Sequence, residues 1–187
     1  MTEGWRGVPW KVPGVTTPEV RERDVSRVLR ALAEDYAAAL QEVLGDRLVS
    51  VVLFGSVARG QATASSDVDL LVVVKDLPQS RFARRRLLDP AYARVAPALA
   101  RLMADGIPAA VTDVIRTPEE AARPSLLYLD LTEDAVLLID HDGFFAAVLE
   151  RMRGSLLRLG ARRLWLDGMP YWDLKPDFRP GDVVELW

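Results

Sequence analysis

Asp67 and Asp69 follow a Gly55-Ser56 pair by ten residues, and these four residues have the types and spacing that can do chemistry. Side chains two apart on a strand point to the same face, so the two carboxylates are presented together while Val68 and Leu70 anchor the strand in a core. Adjacent carboxylates repel, and a hard divalent cation such as Mg²⁺, which prefers oxygen ligands, relieves that repulsion. Glycine lets main-chain N–H groups approach an anion closely, and a helix starting there adds partial positive charge suited to phosphate. Asp69 sits in the apolar run Val68 to Val74, where an unpartnered carboxylate is costly. The pattern reads as metal-assisted chemistry on a phosphate group.

The run Gly55-Ser56-Val57-Ala58-Arg59-Gly60, the ten-residue spacing and Asp67-Val68-Asp69 resemble the nucleotidyltransferase superfamily that includes DNA polymerase beta, and within it the minimal nucleotidyltransferases. The resemblance is specific over Val51 to Val74 and loose beyond. It implies an α/β fold with a small mixed sheet backed by helices, ATP held at the Gly-Ser turn, and two Mg²⁺ ions at the aspartates. The superfamily commonly adds a third acidic residue from a neighbouring strand, and the choice here is Asp113, an aspartate flanked by Val111, Val114 and Ile115, with a salt-bridged core residue as the alternative. On this reading Gly55 and Ser56 hold a phosphate, Arg59 is either a cation for the phosphates or an exposed structural residue, and Ser66 either caps the turn or touches a phosphate.

The resemblance also implies an activity: transfer of AMP from ATP to a protein hydroxyl. Small proteins of this kind are often paired with a HEPN-type RNase toxin and act as its antitoxin by adding AMP to a tyrosine. Two alternatives stay open, a small-molecule adenylyltransferase of the antibiotic-modifying type and a nucleotide-binding subunit with weak catalysis.

These residues need strands and helices to position them. Residues 1–16, with Trp5, Pro9, Trp10 and Pro13, read as an irregular arm. Thr17-Pro18 reads as a helix start, and apolar residues from Val25 to Leu44 recur at helical spacing up to Gly45. Leu48 to Phe54 and Asp67 to Val74 are strands. Arg81, Arg84, Arg85 and Arg86 form a basic run that reads as a solvated face or a contact for substrate or partner. Asp89-Pro90 starts a helix to Ala104 with a kink or break at Pro97. Ala109 to Ile115 is a strand, and Thr117-Pro118-Glu119-Glu120 a capping box. Ser125 to Leu131 is open between helix and strand, Ala135 to Ile139 is a strand, and Phe144 to Leu159 a helix. Residues 17–159 form the nucleotidyltransferase domain, and 160–187 an aromatic-rich extension with a hairpin at Asp167-Gly168. Its tryptophans are read either as core or as a partner interface.

Composition narrows the alternatives. The 187 residues contain no cysteine, which excludes disulfides and thiol nucleophiles, and one histidine, His141. The net charge of -3 argues against direct nucleic-acid binding. There is no Walker-type phosphate loop, no apolar run of membrane-spanning length and no apolar signal core. A cytoplasmic protein is expected, with homo-oligomerisation left open.

Overall fold

The computed structural model describes residues 22–167 and 169–187. The terminal arm, the helix start at Thr17-Pro18, Trp5 and Trp10 therefore lie outside the described residues. Six helices and six strands follow in chain order: α1 (Glu22–Leu44), β1 (Leu48–Phe54), α2 (Gly55–Ala58), β2 (Val68–Val74), α3 (Arg81–Ala104), β3 (Val111–Arg116), α4 (Pro118–Ala121), α5 (Leu127–Asp134), β4 (Val136–Asp140), α6 (Phe144–Leu159), β5 (Arg162–Leu166) and β6 (Met169–Asp173).

Four strands form one mixed sheet in the order β3-β2-β1-β4, and β5 and β6 form a separate hairpin. Strand β1 runs antiparallel to both β2 and β4, whereas β3 runs parallel to β2. The central strands are buried on both faces, which explains their almost unbroken apolar sequences.

On one face Leu70, Val72 and Val74 of β2 pack against Leu29, Tyr36 and Leu40 of α1 and Leu88 and Val95 of α3. On the other, Leu71 and Val73 pack against Leu129 of α5 and Phe145, Leu149 and Met152 of α6. The two-residue period of β2 thus sorts its side chains between two cores.

Helix α3 starts earlier than the Asp89-Pro90 signal implies. Ser80 caps it by accepting from the Ala83 N–H, and Arg84, Leu88, Ala91, Val95, Leu99 and Leu102 form one continuous buried stripe. Pro97 does not divide it. The expected capping box is present, with Thr117 Oγ1 accepting from Glu120 N and Glu120 accepting from Thr117 N. The open segment 125–131 resolves as helix α5, whose Tyr128, Leu129, Leu131 and Thr132 are buried.

Within the extension, Trp172 Nε1 donates to Asp130 and Trp187 Nε1 to the Ala122 carbonyl, and both rings pack on the second core. Trp165 stays 66% exposed. No helix among the described residues is long and apolar enough to cross a membrane.

Candidate active site

Gly55 follows β1 with φ +75, a conformation that L side chains rarely adopt. A second constraint acts at the same atom: a Cβ on Gly55 would stand 2.5 Å from Asp69 Oδ2. The main chain at residue 55 therefore lies directly against the Asp69 carboxylate. The sheet register produces this contact, because Phe54 pairs with Asp69 across β1 and β2.

The segment after Gly55 makes only one helical turn, α2, rather than a longer helix. Arg59 N donates to the Gly55 carbonyl (3.3 Å) and Gln61 N to the Ser56 carbonyl (2.9 Å). So short a helix offers its leading N–H groups rather than a large dipole. Val57, 2% exposed, pins the turn to the core, while Gly55 and Ser56 remain half-buried.

The loop back to β2 is tied down at both ends. Ala62 N donates to Ser26 Oγ of α1 at 2.9 Å. Ser66 Oγ accepts from Thr63 N at 2.9 Å, so here Ser66 caps a turn. Asp67 is exposed and its Oδ1 accepts from Ala110 N at 3.0 Å, which fixes it beside the entry to β3.

Burial raises the Asp69 pKa, and repulsion from Asp67 raises it further, against the opposing charge of Arg59. The two carboxylates therefore sense one another as the spacing predicts. Among the described residues no group of three or more Asp, Glu, His or Cys side chains is placed to hold a metal ion. Two carboxylates still fit Mg²⁺, which commonly takes one or two from the protein and completes its shell with phosphate oxygens and water.

Asp113 does not join them. In the parallel β2–β3 pair Asp113 lies opposite Leu70, and Thr112 lies opposite Asp69. Asp113 consequently shares the face of Leu70, beneath α1 and α3. There Tyr36 Oη donates to its Oδ2 at 3.2 Å, and the Arg85 guanidinium pairs with the same oxygen. The side chain is 1% exposed, and burial outweighs Arg85 and Tyr36 to raise its pKa. The position facing the carboxylate pair from β3 is Thr112.

Arg59 is the cation nearest the pair. Its Nε donates to Gln61 Oε1 at 3.2 Å, and its Nη1 lies 3.8 Å from Asp134 Oδ2. Arg163 of the hairpin bonds the same Asp134 oxygen at 3.0 Å. Asp134 thus links the site to the C-terminal extension, a role that its place between the open segment 125–131 and the strand expected from Ala135 did not signal.

A cleft of about 550 Å³ lies elsewhere, lined by Gln41, Leu48, Lys75, His141 and Phe144. It opens at the start of β1 and the end of β2, the opposite end of the sheet from Gly55 and Asp69. His141 Nε2 is 2.8 Å from Gln41 Oε1 there, remote from the carboxylates.

Residues 34–101 match the family model of the nucleotidyltransferase domain, a span that contains Gly55, Ser56, Arg59, Ser66, Asp67 and Asp69. That stretch of the chain is similar to a nucleotidyltransferase domain. Curated proteins similar to the chain include two from Methanocaldococcus jannaschii. "Putative protein adenylyltransferase MJ1305" is 27% identical over 150 residues, covering 79% of this chain and 95% of that protein. "Putative protein adenylyltransferase MJ0141" is 40% identical over 47 residues, 25% of this chain and 48% of that protein. Among solved structures, a toxin–antitoxin with AMP-PNP aligns at TM-score 0.42 and 18% identity over 68% of this chain and 92% of that one. A putative nucleotidyltransferase from Sulfolobus solfataricus aligns at TM-score 0.41 and 22% identity over 67% and 93%.

Proposed function

We propose that this chain is a nucleotidyltransferase that transfers AMP from ATP to a hydroxyl group of a partner protein, with Mg²⁺ held by Asp67 and Asp69. The observation that carries the reading is the approach of the Gly55 main chain to Asp69. That approach supports the reading because main-chain N–H groups suited to phosphate would then lie beside a carboxylate suited to a metal, as a metal-bound triphosphate requires. The names of the Methanocaldococcus jannaschii relatives support a protein as acceptor.

In the reaction the acceptor oxygen attacks the α-phosphorus, the bond to the bridging oxygen of pyrophosphate breaks, and the acceptor hydroxyl passes its proton to solvent. The leading N–H groups of the Gly55-Ser56 turn bind phosphate oxygens. Arg59 offsets charge on the departing pyrophosphate, and Asp134 restrains the Arg59 side chain. Bound Mg²⁺ supplies charge neutralisation and orients the triphosphate. With Asp113 on the opposite face, Asp67 and Asp69 are the carboxylates that would hold the metal.

For the acceptor we propose a tyrosine of a HEPN-type RNase toxin, with this chain as its antitoxin, on the family resemblance of the Gly55-to-Asp69 motif. The test is transfer of α-labelled ATP, with and without Mg²⁺, to the protein encoded in the adjacent reading frame, followed by mapping of the modified residue. Label on a tyrosine of that protein is expected. Label that appears only on small hydroxyl compounds overturns the protein-acceptor reading.

A further inference from the structure

The arginine run at the start of α3 is not simply a solvated face. Arg84 is 8% exposed, and its guanidinium bonds both carboxylate oxygens of Glu120, at 2.6 and 2.9 Å. Its Nε also donates to the Pro78 carbonyl at 2.7 Å. Together with Arg81, Arg85, Arg116 and Asp113 it lines a recess of about 250 Å³ between α3 and the edge strand β3.

Two features of the recess are unsatisfied. Arg84 is neutralised by Glu120 and Arg85 by Asp113, but neither Arg81 nor Arg116 makes an ion pair among the described residues. In a chain of net charge -3, that leaves a local excess of two positive charges. Secondly, Asp113 Oδ1 is buried without a hydrogen-bond partner, on a side chain only 1% exposed. An orphaned buried carboxylate oxygen is costly, and its need is a donor.

We propose that this recess is a second binding site, separate from the Asp67–Asp69 end, for a small phosphomonoester that carries hydroxyl groups. Arg81 and Arg116 take the phosphate, for which the guanidinium fork is well shaped, and Asp113 Oδ1 accepts from a ligand hydroxyl. The volume suits one phosphorylated sugar or a mononucleotide. The recess wraps the sheet edge at β3, with Asp113 on the face of Leu70 and Arg116 on that of Val73, and it is distinct because Arg116 registers at the end of β2 remote from Asp69.

Titration calorimetry of the full chain in EDTA tests this, with ribose 5-phosphate, AMP and inorganic phosphate as probes at physiological ionic strength. Saturable one-site binding is expected for ribose 5-phosphate or AMP, tighter than for inorganic phosphate. Tighter binding of AMP than of ribose 5-phosphate identifies a nucleotide, and equal binding a sugar phosphate. Arg81→Gln and Arg116→Gln should each weaken binding about tenfold, the loss of one charge-assisted hydrogen bond, without lowering Tm. Asp113→Asn, checked for folding by circular dichroism, should erase the preference over inorganic phosphate. The proposal is overturned if no probe gives saturable heat, if the Arg81→Gln/Arg116→Gln double variant binds as well as the parent, or if Asp69→Asn rather than the arginine variants abolishes binding.

Discussion

Asp113 and Leu70 stand opposite one another in the β2–β3 pair, and that register sends Asp113 to the face of the sheet away from Asp69. Its partners there are Tyr36 and Arg85, both from the helices that cover the first core. Asp113→Asn should therefore lower stability by about 2 kcal/mol, because Arg85 and a buried tyrosine hydroxyl lose a charged acceptor. Turnover per folded molecule should change little. Thermal melts beside AMP-transfer rates check this, and a large loss of rate at unchanged Tm would return Asp113 to the chemistry.

Asp67→Asn and Asp69→Asn are expected to reduce Mg²⁺-dependent transfer by at least about a hundredfold, since on the proposed reading each removes a negative charge that would hold the metal. The fold should survive. Burial and Asp67 already disfavour the ionised form of Asp69, so its conversion to an amide relieves repulsion. Transfer of labelled AMP combined with melts in EDTA separates the two effects, and near-normal transfer by Asp69→Asn would end the metal reading.

Gly55→Ala should cost about 1–3 kcal/mol, the range for a non-glycine residue held in a sparsely populated backbone region. The added methyl also meets Asp69 Oδ2, so the carboxylate must move. The distinguishing readout is a loss of divalent-cation affinity greater than the change in Tm explains.

The parts of the site that can be read from sequence are those set by neighbours along the chain. Gly55 and Ser56 open the turn directly after β1, Asp67 directly precedes β2 and Asp69 lies on it, so neighbours along two consecutive antiparallel strands and their connection place all four. Asp113 is different. Its facing depends on how β3 registers on β2 across the long α3 crossover, and a one-residue slip exchanges Asp113 for Thr112. Asp134 escapes notice because it ends helix α5, beyond the segment 125–131 that is open between helix and strand. The start of α3 is masked because its buried stripe begins with an arginine, and Arg84 is inside only because Glu120 reaches it from the α4 capping box.

That Arg84–Glu120 pair carries a pH signature. The Arg84 guanidinium pulls the Glu120 pKa from 4.5 down to about 2. A carboxylate with a depressed folded-state pKa adds stability that is fully present above its unfolded value and lost as pH falls toward the folded one. Glu120→Gln should therefore lower stability by about 2 kcal/mol near neutral pH, between the values for exposed and buried pairs. The gap to the parent should narrow between about pH 4.5 and about pH 2. Denaturant midpoints across that window measure it, and a gap that stays constant would mean that the charge of Glu120 is not what stabilises the fold.

Asp134 accepts from Arg163 of the hairpin and lies within ion-pair range of Arg59, so removal of its charge releases both cations at once. Arg59, proposed to meet the phosphates, is then free to swing away from them, and the half-buried Arg163 loses its nearer counter-ion and keeps Asp130 at 3.6 Å. Asp134→Asn should raise the KM for ATP several-fold and lower kcat less, because the ground-state phosphates and the leaving pyrophosphate both use Arg59 but the attacking oxygen does not. Arg59→Ala should show the same pattern, and the double variant should be no worse than Arg59→Ala alone if Asp134 acts through Arg59. Steady-state kinetics of the two single variants and the double variant decide this. Additive effects on KM would mean that Asp134 serves the site by a route other than Arg59, through the hairpin that Arg163 anchors.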